Sequence, residues 1–248
     1  MRHIAIAAVL ILVGGAALAM NGGPVFCVGP QMTSMTVEVS QANLQLPSDR
    51  AGDGWETAVS QRGFLVARYG LSPGCDFAAR VGSANLSFSD LPSGYSDVTG
   101  SWAFAWGASA RLGFPLKPDR YQVIAAVDYV GFQPTTSTTL GQKTIESEYL
   151  WNEVSPSLTA GYRFGWLLPY VGVMKPYLFG RRDVKVTLQG QELTSAGGAS
   201  DYSDGEQPLR GLLGFEWRLP DGYSFGAEVA GDTEGMWTLS IGLAQVLK

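Results

Sequence analysis

Residues 101–114 read SWAFAWGASARLGF, and no other segment restricts the fold as tightly. Trp102, Phe104, Trp106, Ala108, Ala110, Leu112 and Phe114 fall on one face. Ser101, Ala103, Ala105, Gly107, Ser109, Arg111 and Gly113 fall on the other. Alternation with period two belongs to a strand, because successive Cβ atoms point to opposite sides of a sheet. Aromatic residues near both ends of the apolar face fit a wall that meets water at two levels. The buried face of a soluble sandwich rarely ends in aromatic bands on both sides.

The pattern recurs along the chain. Tyr121, Val123, Ala125, Val127 and Tyr129 form one face of a second segment, with Gln122 and Asp128 opposite. Leu158, Ala160, Tyr162 and Phe164 stand against Ser157, Thr159, Gly161 and Arg163. Leu209, Leu213, Phe215 and Trp217 stand against Arg210, Gly214, Glu216 and Arg218. Tyr223, Phe225, Ala227 and Val229 precede a last segment bearing Trp237, Leu239, Ile241 and Leu243. Pro176 blurs the two faces of Tyr170 to Phe179, and Met35 to Leu46 alternates least clearly. Ten strands are expected, at 35–46, 61–71, 76–88, 101–114, 120–132, 147–164, 168–186, 207–219, 222–230 and 235–247. Eight is the alternative if the first and one other are loop.

The chain is 46% hydrophobic, yet beyond its first twenty residues no run is long and apolar enough for a membrane helix. A bilayer admits only helices and closed barrels, since every backbone polar group in it needs a partner. The fold expected is therefore all-β, a single antiparallel up-and-down transmembrane β-barrel. The connectors alternate short (72–74, 115–119, 165–167, 220–221) and long (47–60, 89–100, 133–146, 187–206), as in barrels with short inner turns and longer outer loops.

The N-terminus points to export. Met1-Arg2-His3 is a basic start, Ile4 to Val13 is apolar, and Ala17-Leu18-Ala19 is a small-x-small site. That is a secretory signal, cleaved after Ala19, and its apolar run is well short of the roughly 20 residues of a spanning helix. Cys27 follows Val25-Phe26, which is no lipobox. The expected organisation is a signal peptide at 1–19, a periplasmic N-terminal segment at 20–34 and the barrel at 35–248. Cleavage takes the formal charge from −5 to −6, which disfavours nucleic acid as a partner.

Together these features resemble the outer-membrane β-barrel superfamily, over essentially all of 35–247. The resemblance implies insertion in a bacterial outer membrane, with outer-membrane lipid and lipopolysaccharide as neighbours. It also implies a terminal aromatic residue that assembly machinery recognises, where this chain ends Val246-Leu247-Lys248. Barrel enzymes of that superfamily resemble omptin proteases, phospholipase A or lipid A deacylases, which use histidine. The one histidine here is His3, inside the signal, so Ser-His and Asp-His machinery is not expected. Two cysteines are too few for a Cys/His zinc site, and no phosphate-binding glycine motif opens a helix. A non-enzymatic protein without cofactors is expected.

Three candidate sites follow. Cys27 and Cys75 both fall on the periplasmic side, where oxidation is the default, so a disulfide is expected; closing about 49 residues, it would add roughly 4 kcal/mol. Arg68, Arg80, Arg111, Arg163, Arg210 and Arg218, with Asp128, Glu153, Glu216 and Glu228, fall on the inward face. They form either an ion-pair network filling a narrow barrel or the wall of a narrow, weakly anion-preferring channel. The long connectors, extended to residue 148, hold Asp49, Asp53, Glu56, Asp90, Asp97, Glu146, Glu148, Glu192, Asp201, Asp204, Glu206, Asp232 and Glu234, opposed by Arg50 and Lys143. Such acids are a solvated loop surface, or they share Ca²⁺ or Mg²⁺ with lipopolysaccharide phosphates. Asp201, Asp204 and Glu206 are the best cation-loop candidates. The function expected is a structural or surface-interaction role, with the passive small-solute channel as the alternative.

Overall fold

The computed structural model describes residues 27–47, 55–88, 98–117, 120–140, 142–189, 191–193, 198–205 and 207–247. The expected signal peptide lies outside them. Within these residues sixteen strands run in chain order: β1 Thr33–Pro47, β2 Trp55–Ser72, β3 Cys75–Ala84, β4 Ser87–Phe88, β5 Val98–Thr99, β6 Ala103–Lys117, β7 Tyr121–Phe132, β8 Thr135–Leu140, β9 Lys143–Tyr162, β10 Leu167–Met174, β11 Tyr177–Leu188, β12 Gln191–Glu192, β13 Gly198–Gly205, β14 Arg210–Arg218, β15 Tyr223–Gly231 and β16 Trp237–Leu247. Among the described residues ten of these close a ring, in the order β1, β2, β3, β6, β7, β9, β10, β14, β15, β16 and back to β1, every pairing antiparallel. Closure leaves no open edge along the ring, so each strand satisfies its neighbour's backbone groups.

The ring matches the alternation in sequence. Phe104, Trp106, Leu112 and Phe114 of β6 lie exposed on the outer wall, while Ala105, Ser109 and Arg111 are buried inside. Short turns join the strands at one end of the ring, which also holds residues 27–32 and the end of β16. In the β14–β15 turn Asp221 and Gly222 both have positive φ, 62° and 78°, the combination that suits the twist of a tight hairpin and that Asp-Gly tolerates.

At the other end, three of the long connectors hold further strands among the described residues. β4 pairs β2 and β5 pairs β4. Gly100 then bridges to Thr136 in β8, β8 pairs β9, β9 pairs β11 and β11 pairs β13. Between β13 and β1 the Gln207 side chain acts as a substitute strand. Its Nε2 donates to the Gln45 carbonyl at 2.6 Å, and its Oε1 accepts from the Gln45 N–H at 3.4 Å. The connector expected at 133–146 is thus largely β8 and the start of β9, while 187–206 holds β12 and β13. The expected strand at 168–186 is β10 followed by β11, interrupted where Pro176 can donate no hydrogen bond.

These outer strands invert the polarity of the wall. On β1 the inward residues run Ser34, Thr36, Glu38, Ser40, then Ala42, Leu44, Leu46, while the outward ones run Met35, Val37, Val39, then Gln41, Asn43, Gln45. On β9 the inward residues pass from Thr159, Ser155 and Glu153 to Trp151 and Tyr149, while the outward face passes from Leu158 and Val154 to Asn152 and Glu148. Below the change the charges lie inside, beside a smaller buried apolar cluster of Ile124, Leu168, Tyr170, Met174, Leu212 and Ala230, and the outside is apolar. Above it, the arrangement is that of a water-soluble barrel with an apolar core.

Candidate functional site

The interior below the polarity change is a ladder of ion pairs, and it gathers most of the inward charges expected from sequence. Arg80 of β3 sits between Asp128 of β7 at 2.6 Å and Glu38 of β1 at 3.6 Å. Arg68 lies 3.7 Å from Asp76, whose other oxygen accepts the Val28 N–H at 3.0 Å. Arg111 is buried within electrostatic reach of both Glu38 and Arg68. Higher up, Glu153 meets Arg62 at 2.6 Å and accepts from Ser155 Oγ at 3.1 Å. Arg210 lies 3.5 Å from Asp232, donates to Thr238 Oγ1 at 2.9 Å and to the Asn43 carbonyl at 3.0 Å. Tyr170 lies across Gly214, where any Cβ would meet its ring at 2.4 Å, and its hydroxyl donates to Glu228 at 3.0 Å. Arg218 stands 3.7 Å from Glu216 at the turn end, with Arg163 close enough to repel it.

Arg62, Glu38, Asp76, Asp232 and Tyr170 complete this network and were not among the expected inward charges. Their signal was spacing: Arg62 is in phase with Arg68, and Asp76 with Arg80. Glu38 lies on the strand with the weakest pattern. Asp232 corrects a second expectation. It is not a solvated loop acid: its side chain is buried against Arg210, and its Oδ1 accepts from the Glu234 and Met236 N–H groups.

The expected disulfide is absent, and both cysteines are free. Cys75 opens β3 in phase with the exposed Phe77, so it points outward, whereas Asp76 points in. Cys27 lies inside the mouth beside Gly113 and lines a cavity there. The barrel wall separates the two thiols. Burial, with the Asp76 carboxylate next in effect, pushes the Cys27 thiol up to about 11. The cavity has a volume of about 220 Å³, and Val28, Met32, Ser34, Glu216, Arg218 and Tyr223 contribute to its lining.

Asp201 is exposed on β13 opposite Arg181, Asp204 lies further along β13, and Glu206 is outside the described residues. Among the described residues no three His, Cys, Asp or Glu side chains converge as a metal site would require. The loop end is also less one-sidedly acidic than the connectors suggested. β9 and β11 run far past the apolar belt and carry Lys143, Arg181 and Lys185 exposed beside Glu146 and Glu148.

Above the ladder the lumen is filled with apolar side chains. Leu44, Leu86, Phe88, Phe132, Tyr149, Trp151 and Leu178 belong to one buried cluster, with Tyr202 packed against it. Phe132 and Trp151 lie 5.6 Å apart, Phe88 and Tyr149 5.4 Å. Outside, aromatic pairs form two girdles. Tyr121–Tyr162, Tyr162–Phe164 and Trp166–Trp217 circle the turn end. Trp106–Tyr129 marks the other border, where Tyr129 donates to Asn152 at 2.7 Å. From Asn152 to Tyr162 the strand advances about 33 Å, and a tilt of about 40° leaves about 25 Å of height, the apolar thickness of an outer-membrane wall.

No family model and no curated protein matches the chain. Among solved structures it is similar to the translocator domain of the autotransporter NalP from Neisseria meningitidis, at 11% identity and a TM-score of 0.48, covering 100% of this chain and 95% of that one. It is similar also to an outer membrane channel from Pseudomonas putida F1, at 10% identity and a TM-score of 0.48, covering 92% and 100%. The β domain of the Bordetella autotransporter BrkA gives 11% identity and a TM-score of 0.37, covering 88% and 100%. The class follows from the chain's own geometry. A closed antiparallel ring with an apolar outer wall, two aromatic girdles and a charged interior has the architecture of an outer-membrane β-barrel.

Proposed function

We propose that the chain is exported to the bacterial outer membrane and serves there as a closed, non-enzymatic scaffold with a structural or surface-interaction role. The observation that carries this reading is the packed apolar core at the loop end, centred on Trp151 and Phe132. A conducting pore needs a continuous polar path. Here the ion-pair ladder ends beneath a layer of buried aromatic and aliphatic side chains. Ten strands also make a narrow barrel, and small barrels fill their interiors with side chains.

The exposed part of the molecule is then the upper storey of β4, β5, β8, β9, β11, β12 and β13. It offers exposed Glu146, Glu148, Glu192 and Asp201, interleaved with Lys143, Arg181 and Lys185. Such a mixed, hydrogen-bonded β-surface suits contact with another macromolecule or with the saccharide layer of the membrane. Planar-bilayer recording tests the closed state. Silence at all voltages is expected; reproducible unitary steps that change in Arg111→Ala would replace the scaffold with the narrow channel. Fractionation tests the location, and a chain recovered soluble from the periplasm would overturn it.

A further inference from the structure

One side chain breaks the rule of the outer wall. Among the described residues Lys175 is the one charged side chain on the outward face between the two girdles. It follows Met174, which is buried in the lumen, and precedes Pro176, also buried, so its own side chain faces out. Val173 and Tyr177 flank it on the same column, both exposed. Its N–H donates to the Pro156 carbonyl at 3.1 Å, which places it between the apolar faces of β9 and β14. Its Nζ lies 5.4 Å from the centroid of the Tyr177 ring, on the side of the loop end. No carboxylate among the described residues pairs with it. Arg181, further up the column, differs: Asp183 holds it at 3.1 Å and Asp201 stands opposite.

A lysine in hydrocarbon is costly unless its stem lies in the apolar layer and its ammonium reaches a polar partner. Lys175 lies within reach of the upper girdle, where the phosphates of one leaflet lie. We propose that Lys175, steadied by the Tyr177 ring, is a docking point for the phosphate of an anionic lipid in the outer leaflet. The inference rests on the outer-membrane reading above. Its chemistry is direct: an ammonium is a compact point charge that pairs with a phosphate oxygen, and the aromatic face holds the cation in place without competing for the anion.

The test uses the full chain in phosphatidylcholine vesicles with spin-labelled phosphatidylglycerol as probe, spin-labelled phosphatidylcholine as reference, and electron paramagnetic resonance as readout. One lysine near a membrane surface corresponds to a preference of about fivefold for the anionic lipid. That preference is expected in the wild type and in Lys175→Arg, lost in Lys175→Met, and unchanged in Arg181→Met. Molar salt should reduce it, and millimolar inorganic phosphate should leave it intact. Equal selectivity in wild type and Lys175→Met overturns the site. So does an equal loss in Arg181→Met, which would mean diffuse charge, or full displacement by inorganic phosphate, which would mean a free-anion site. Heat-modifiable migration of each variant separates these outcomes from failure of the barrel reading itself.

Discussion

Breaking the Arg62–Glu153 pair measures whether the lumen is dry or wet. Both side chains are buried, with relative exposures of 4% and 5%, and their closest atoms are 2.6 Å apart. In Glu153→Leu the guanidinium keeps its Nε bond to Ser60 Oγ at 3.0 Å and its place over the Phe132 ring, but it loses its counter-charge. Removing one partner of a buried pair costs about 3–5 kcal/mol. At an m value near ~2 kcal/mol/M, that lowers the urea midpoint by roughly 2 M. Arg62→Met should fall at the lower end of that range, about 3 kcal/mol. Glu153 would then keep Ser155 and the field of Arg210. The double variant replaces both charges by apolar groups of similar size and should fall within about 1 kcal/mol of the wild type. Tryptophan fluorescence of the vesicle-folded chain along a urea titration gives the whole cycle. Single variants that each cost less than about 1 kcal/mol, as exposed pairs do, would mean a water-filled lumen. That result would refute the filled barrel and favour the channel.

Trp151→Ala should cost about 3–5 kcal/mol in the same titration, because it empties the largest fully buried side chain of the loop-end core; a loss below about 1 kcal/mol would mean that core is already loose. Val127→Lys places a charge on the outer wall of β7 and should destabilise by about 2–4 kcal/mol in vesicles if that wall faces hydrocarbon; no change would remove it from the membrane. With its thiol raised to about 11 by burial first and Asp76 next, the neutral form of Cys27 dominates at neutral pH. Its alkylation rate should rise about tenfold per pH unit up to that value, and a plateau near pH 8.5 would contradict the buried position. Intact mass after mild oxidation should show no internal cross-link; a mass two hydrogen atoms lighter would put Cys27 and Cys75 on the same side of the wall.

Much of the barrel was legible because parity carries physical meaning twice: a slip of one residue would turn every apolar side chain into the lumen. The columns read at Trp102 to Phe114 and at Tyr121 to Tyr129 are the outer wall of β6 and β7, and ten staves close the ring. What parity could not show is pairing at a distance. Cys27 and Cys75 both lie at the turn end, yet one residue of register decides that Cys75 faces outward and Asp76 inward. The long connectors misled for a related reason. β8 reads TTSTTL, with neither apolar alternation nor a turn signal, and only β9 beside it makes it a strand.

The inversion of polarity explains why the upper half was harder to read than the lower. Alternation in a membrane wall is judged by which column is apolar, and on β1 that column changes at Ser40 to Ala42. A reader holding one column fixed sees Val37, Val39, Gln41 and Asn43 as a pattern that decays into loop. The chain instead exchanges roles: Ala42, Leu44 and Leu46 turn into a core while Gln41 meets Gln61 on the outside. The two storeys therefore obey one rule under two solvents. Below the upper girdle the environment outside is apolar, so charges are driven inward and must pair there. Above it water is outside, so apolar groups are driven inward and close the lumen. The ion-pair ladder and the aromatic lid are thus consequences of the same boundary, and that boundary is where Lys175 sits just beneath the girdle with its ammonium beside Tyr177.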